Sequence, residues 1–218
     1  MYDERHVLVI FPHPDDEAYG VSGTIAGQIA KGTPVTYACL TLGEMGRNVG
    51  NPPIATRESL REIRKRELFE AAESMGLEDL RMLGYRDKTL EFLDDGVLKQ
   101  LVLNLIDELN PSVVISFYPE HGVHPDHDAT SAAVRDALAE IDSTKRPRFW
   151  GIAITKDDPE IEYSVKPFIN QKISTIKAHD SQFGTMFREY EKRYLAGEQE
   201  VSERLENERF HVYSFDDE

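Results

Sequence analysis

HVLVIFPHPDDEAYG, residues 6–20, joins an apolar run to a knot of charge. Val7 to Phe11 are apolar without alternation, which predicts a strand covered on both faces, as in a parallel sheet buried between helices. Pro12 stops the run, and His13, Pro14, Asp15, Asp16 and Glu17 follow at once. Carboxylates crowded at the end of a buried strand repel one another unless solvent or a cation compensates them.

Working outward, further runs predict strands at 34–41, 80–84, 112–118 and 148–154, with a short one near 210–215. Helical spacing separates them. From Asp95 onward Val97, Leu98, Leu101, Val102, Leu105, Ile106 and Leu109 mark one helix face, with Asp94 or Asp95 as its cap and Asn110-Pro111 as its end. Leu60, Ile63, Leu68, Ala71, Ala72 and Met75 mark a second helix, closed by Gly76. Ala129, Ala133, Ala137, Leu138 and Ile141 mark a third. Alternating strands and helices predict a Rossmann-like, doubly wound α/β fold, its mostly parallel sheet flanked by helices in a single domain. Residues 156–209, richer in charge and helix formers, are expected to pack on that domain, and Asp216-Asp217-Glu218 reads as a solvated tail.

The 218 residues suffice for a sizeable core, and a formal charge of −15 argues against nucleic acid or anionic lipid as a partner. The single cysteine, Cys39, has no partner for an internal disulfide and reads as a small core residue. No apolar run is long enough to span a membrane and the start is acidic, so a cytoplasmic protein is expected.

In an open parallel sheet, ligands bind beyond the carboxyl ends of the strands. There this chain places HPDDE (13–17), TLGEMGRN with Glu44 and Arg47, GYRD with Asp87, and PEHGVHPDH (119–127). No glycine-rich phosphate loop follows the first strand, which argues against a dinucleotide. HPDD alone also reads as a capped helix start, and HPDH alone as a polar loop. Together, at one sheet edge, they predict a metal site of two histidines and one carboxylate with an open position, as in catalytic zinc centres. The ion would lower the pKa of a bound water, and the spare carboxylate would take its proton. Spacing leaves open whether Asp15 or Asp16 binds the metal, and which of His121, His124 and His127 completes the set.

These motifs, with the helix IRKRELFEAAESMG and the later AHDSQ (178–182), resemble the LmbE-like, PIG-L-type family of zinc-dependent N-deacetylases. The resemblance implies hydrolysis of the acetyl group of an N-acetylglucosaminide, most like the bacillithiol-pathway enzymes acting on N-acetylglucosaminyl malate. It implies His13, Asp16 and His127 as ligands of zinc or Fe(II), Asp15 as general base, and His124 as the acid or oxyanion partner, with Asp126 orienting His124. It implies Glu44, Arg64 and Asp87 at the sugar, and a small-molecule sugar substrate, with homo-oligomers among its relatives. Glu17 reads as a helix-start residue, and His121 as lip or surface. The residues of AHDSQ receive no chemical role, and Arg47 or Arg57 could meet an anionic malate. Alternatives are a deacetylase of chito-oligosaccharides or another acylated amine, an Fe(II) oxygenase built on the same ligand triad, and a non-catalytic metal- or sugar-binding module.

Overall fold

Every side chain of β1 (Val7–Phe11) is buried, and alternate residues feed two different cores. The computed structural model describes residues 1–47, 52–94 and 96–215. After β1 come α1 (Asp16–Gly20), α2 (Ser22–Ala30), β2 (Val35–Thr41) and α3 (Arg57–Met75). Then follow β3 (Asp79–Tyr85), α4 (Val97–Leu109), β4 (Val113–Phe117), α5 (Pro125–Ala139) and β5 (Arg148–Ile152). The chain continues through β6 (Ile161–Ser164), α6 (Ile169–Ala178), α7 (Asp180–Leu195), α8 (Gln199–Glu206) and β7 (Asn207–Val212).

One seven-stranded sheet results, ordered β3-β2-β1-β4-β5-β7-β6. The first five strands are parallel, and β7 and β6 extend the edge in antiparallel pairing. The doubly wound α/β architecture is the expected one. Val7, Val9 and Phe11 face one core with Val21 and Ile25 near the start of α2 and Leu68 of α3. Leu8 and Ile10 face the other with Leu98 and Val102 of α4 and Val134 of α5. Coverage on both faces is what the unbroken apolar strands require.

Several boundaries differ from the sequence reading. Gly96 (φ 91°), rather than Asp94, stands at the start of α4; Asp95 and the tail 216–218 lie outside the described residues. Strand β7 begins at Asn207, and β6 was not anticipated. The C-terminal segment packs α6 against α3 and α2. Glu208 of β7 enters the interior, where it accepts the first-turn N–H groups of Gly23 (2.9 Å) and Thr24 (2.7 Å) in α2 and pairs with the fully buried Lys172 at 2.9 Å. A carboxylate at a helix N-terminus satisfies donors that have no partner within the helix.

Candidate active site

From β1 the chain winds to β2 and β3 on one side, then returns to lay β4 on the other. Between β1 and β4, therefore, loops diverge and open a crevice beyond the carboxyl ends. The loops after β1, β2, β3 and β4 all reach it, around a cleft of about 270 Å³ lined by His13, Asp15, Asp16, Asp87, His124 and His127 among others.

Three donors converge on its floor. Asp16 Oδ2 lies 3.3 Å from His13 Nδ1, and Asp16 Oδ1 lies 3.3 Å from His127 Nε2. The outer nitrogen of each ring is a donor: His13 Nε2 bonds Asp126 Oδ2 at 3.1 Å, and His127 Nδ1 bonds the Gly122 carbonyl at 2.7 Å. With the outer protons so placed, the inner nitrogens, His13 Nδ1 and His127 Nε2, both face the Asp16 carboxylate, and in the tautomers that carry only the outer proton they would present lone pairs to a cation bound there. That tautomer pattern, with a carboxylate or carbonyl behind each ligand imidazole, is the one metal sites use. His127 is also stacked on Phe117, the last residue of β4, with ring centroids 3.9 Å apart. The donor chemistry thus fits a cation. Burial opposes a charge on His13, but Asp16, Asp126 and Asp87 together raise its pKa well above the usual histidine range. Burial likewise opposes ionised Asp16, yet His127 and His13 hold its pKa far below the carboxylate range. His124 approaches the same point, with a ring nitrogen within 4.8 Å of those of His13 and His127.

Asp15 stands beside this cluster in a left-handed backbone conformation, φ 108° and ψ −22°. Its Oδ2 pairs with Arg64 Nη2 at 2.9 Å. Burial pushes its carboxyl pKa up to about 6, against the lowering pull of Arg64. Arg64, on the buried face of α3, also donates Nη1 to the Gly43 carbonyl at 2.9 Å and Nη2 to the Pro14 carbonyl. Gly43 is required at this contact: φ is +64°, and a Cβ there would sit 2.1 Å from Arg64 Nη1.

His124 is the N-cap of α5, its Nδ1 accepting the main-chain N–H of Asp126 at 3.2 Å. Burial, then the neighbouring His13 and His127, lower its pKa. The neutral ring therefore carries its proton on Nε2. The main-chain N–H of Asp126 holds the His124 ring, and the carboxylate that the resemblance sets behind that ring bonds other groups. It is fully buried, bonds His13, and accepts the N–H groups of Lys88 (2.7 Å) and Leu90 (3.1 Å).

The three residues expected at the sugar sit deeper than that reading suggests. Arg64 is committed to protein acceptors. Asp87 accepts the Met45 N–H at 2.7 Å and lies 3.3 Å from His13 Nε2. Glu44 accepts the Asp87 N–H at 3.2 Å, and its buried Oε2 has no hydrogen-bond partner among the described residues. His121 lies outward, on Thr155 at 2.7 Å. Sequence reasoning passed over Lys88 and Gln182, which line the cleft with Arg47. Glu17 lies in the first turn of α1, as expected, and is also a fully buried acceptor, which the sequence did not signal. Its distance of 162 residues from the bonding partner His179 left no local signal.

The family profile described as "PIG-L: GlcNAc-PI de-N-acetylase" matches residues 8–138. The chain is 51% identical to a probable N-acetyl-alpha-D-glucosaminyl L-malate deacetylase 2 of Bacillus anthracis, covering 100% of this chain and 99% of that one. It is 46% identical to the protein of the same description from Bacillus subtilis (strain 168), covering 98% and 100%. Among solved structures, the N,N'-diacetylchitobiose deacetylase from Pyrococcus horikoshii matches with a TM-score of 0.76 and 25% identity, over 97% of this chain and 84% of that one.

Proposed function

The chain belongs to the PIG-L family of GlcNAc-PI de-N-acetylases, and on that premise we propose that it hydrolyses the N-acetyl group of an N-acetylglucosaminide, with N-acetylglucosaminyl L-malate as substrate. The observation that carries the reaction is the convergence of two inward-facing histidines and Asp16 beside the separately held Asp15. The full-length identity to malate deacetylases supports the substrate.

His13, Asp16 and His127 would hold the metal, zinc or Fe(II), which when bound polarises the acetyl carbonyl and lowers the pKa of a water. Asp15, ionised above about pH 6, takes a proton from the attacking water. Arg64 holds that carboxylate at one edge of the cleft and leaves the other oxygen for the proton. His124, neutral with its proton on Nε2, donates a hydrogen bond to the oxygen that gains charge as the carbonyl is attacked. A neutral imidazole is a weak acid, so this tautomer favours the oxyanion role over delivery of a proton. The proton taken by Asp15 then passes to the departing nitrogen as the C–N bond breaks, and with the second proton of the water also ending on that nitrogen, one amide and one water become a protonated amine and acetate.

The cleft rim supplies the cations that an anionic aglycone needs in so acidic a chain: Arg47 and Lys88 both line it. Arg57, at the start of α3, donates instead to Met45 Sδ. A cytoplasmic setting accords with the free, buried thiol of Cys39. Among the described residues no helix is long and apolar enough to cross a membrane. Self-association accords with exposed Phe92 and Leu195, and sedimentation would detect it.

Acetate release from N-acetylglucosaminyl malate and from N,N'-diacetylchitobiose, with metal added, tests the reading. Turnover of the malate conjugate is expected to exceed that of the chitobiose, and the reverse preference would overturn the substrate. Asp15→Ala should lower kcat by about 100-fold or more with the same metal stoichiometry; full activity would remove Asp15 from the reaction.

A further inference from the structure

The segment Ala178–Gln182, AHDSQ, ends α6 and opens α7, and its side chains reach two buried carboxylates. Ser181 donates its main-chain N–H and its hydroxyl to the two oxygens of Glu67 on α3, both at 2.7 Å. His179, with no solvent exposure, donates Nε2–H to Glu17 Oε1 at 2.5 Å. Glu17 is equally buried, and its Oε2 accepts the Tyr37 hydroxyl and the main-chain N–H of Asp15, each at 3.1 Å. Three donors from three parts of the chain thus meet on one carboxylate, and one of them is the backbone of Asp15.

That backbone needs holding. A non-glycine residue in the left-handed region carries strain of about 1–3 kcal/mol and persists only where its surroundings over-determine it. Asp15 is gripped twice, by Arg64 on its carboxylate and by Glu17 on its N–H. Glu17 depends in turn on His179, which approaches from the C-terminal layer. The His179 ring has a cost, since its Nδ1 is buried with no hydrogen-bond partner among the described residues. An apolar residue would avoid that orphan; what the ring contributes in return is the Nε2–H on Glu17.

We infer that Glu17 and His179 form a positioning pair that fixes the Asp15 peptide, and with it the direction of the Asp15 carboxylate, during catalysis. Both residues are fully buried behind the residues that line the cleft and act through Asp15, so the catalytic effect of the pair rests on the reading of Asp15 as base. A mere packing role for His179 would tie α7 to α1 through its bulk. A positioning role requires the N–H at the Glu17 carboxylate, and the two are separable.

The experiment combines 15N-resolved hydrogen exchange at the Asp15 amide with acetate-release kinetics of the metal-loaded enzyme. His179→Phe keeps bulk and removes the donor; His179→Gln keeps an N–H that can reach Glu17. In His179→Phe, Asp15 exchange is expected to accelerate about tenfold, the equivalent of one lost hydrogen bond. Its kcat should fall about tenfold or more with KM and metal stoichiometry unchanged, as for a misaimed base. His179→Gln should restore most of both. If His179→Phe fails to fold, His179→Asn, polar but too short to reach Glu17, replaces it in the comparison. Unchanged Asp15 exchange in the donor-less variant overturns the pair, as does a His179→Gln that falls as far as His179→Phe. Accelerated exchange in a protein whose parent form releases no acetate would uphold the positioning and overturn the deacetylase reading instead.

Discussion

At Asp15 the base of the proposed reaction has to be ionised, and burial holds its pKa at about 6. The working form lies above that value, so kcat/KM is expected to fall as pH drops through about 6, about tenfold for each further unit. Arg64 pulls the other way and lowers the Asp15 pKa. Arg64→Met should therefore raise it, and the acid limb of a pH–rate profile should move to higher pH. A limb that stays in place or moves lower would separate Arg64 from the ionisation of Asp15. HPDD and HPDH are local motifs, so the presence of a metal-type site was legible in the sequence. The second support of Asp15 was not, because Glu17 and His179 meet only through the tertiary fold.

Among the elements, those with one strong physical cause were legible. Strands β1, β2 and β4 are buried along their whole lengths and read as apolar runs, unbroken in β1 and interrupted only by Thr36 and Thr41 in β2 and by Ser116 in β4. Helix α4 shows its apolar stripe from Val97 to Leu109. Strand β6 alternates buried and exposed over only four residues, too few for a periodicity to register. Helix α5 starts at Pro125, four residues before the first alanine of its stripe, because His124 caps it with a side-chain nitrogen. The turn after β2 is the element on which the site most depends. Gly43→Ala places a methyl group where Arg64 lies and adds strain at φ +64°. The variant is expected to lose about 1–3 kcal/mol in a urea titration and to lose kcat as well, since Arg64 must leave Asp15 to make room. Parent-like stability and kcat would show that the guanidinium has another place to go.

Across the whole molecule, the buried Glu208–Lys172 pair binds the C-terminal layer to the sheet and to α2. Glu208→Ala leaves a buried ammonium and two helix N–H groups without their acceptor, and is expected to cost about 3–5 kcal/mol. Replacing both charges, as Lys172→Met with Glu208→Leu, should cost less, because no unpaired charge remains. Urea midpoints for the two variants check the order, and an equal loss would place the cost in the helix cap rather than in the stranded charge.

The crossing of the chain between β1 and β4 has one more consequence. His13, Asp15, Asp16, Arg64 and Asp87 all precede α4, whereas His124, Asp126 and His127 follow it. Neither fragment of a chain cut between β3 and α4 owns a complete ligand set. Such fragments, expressed apart, should be inert toward metal and substrate alike. Mixing them should return metal binding and turnover together, with a concentration dependence set by the edge that β1 and β4 share. The active site is in this sense a reporter of complementation, legible only when the two halves of the sheet have found each other.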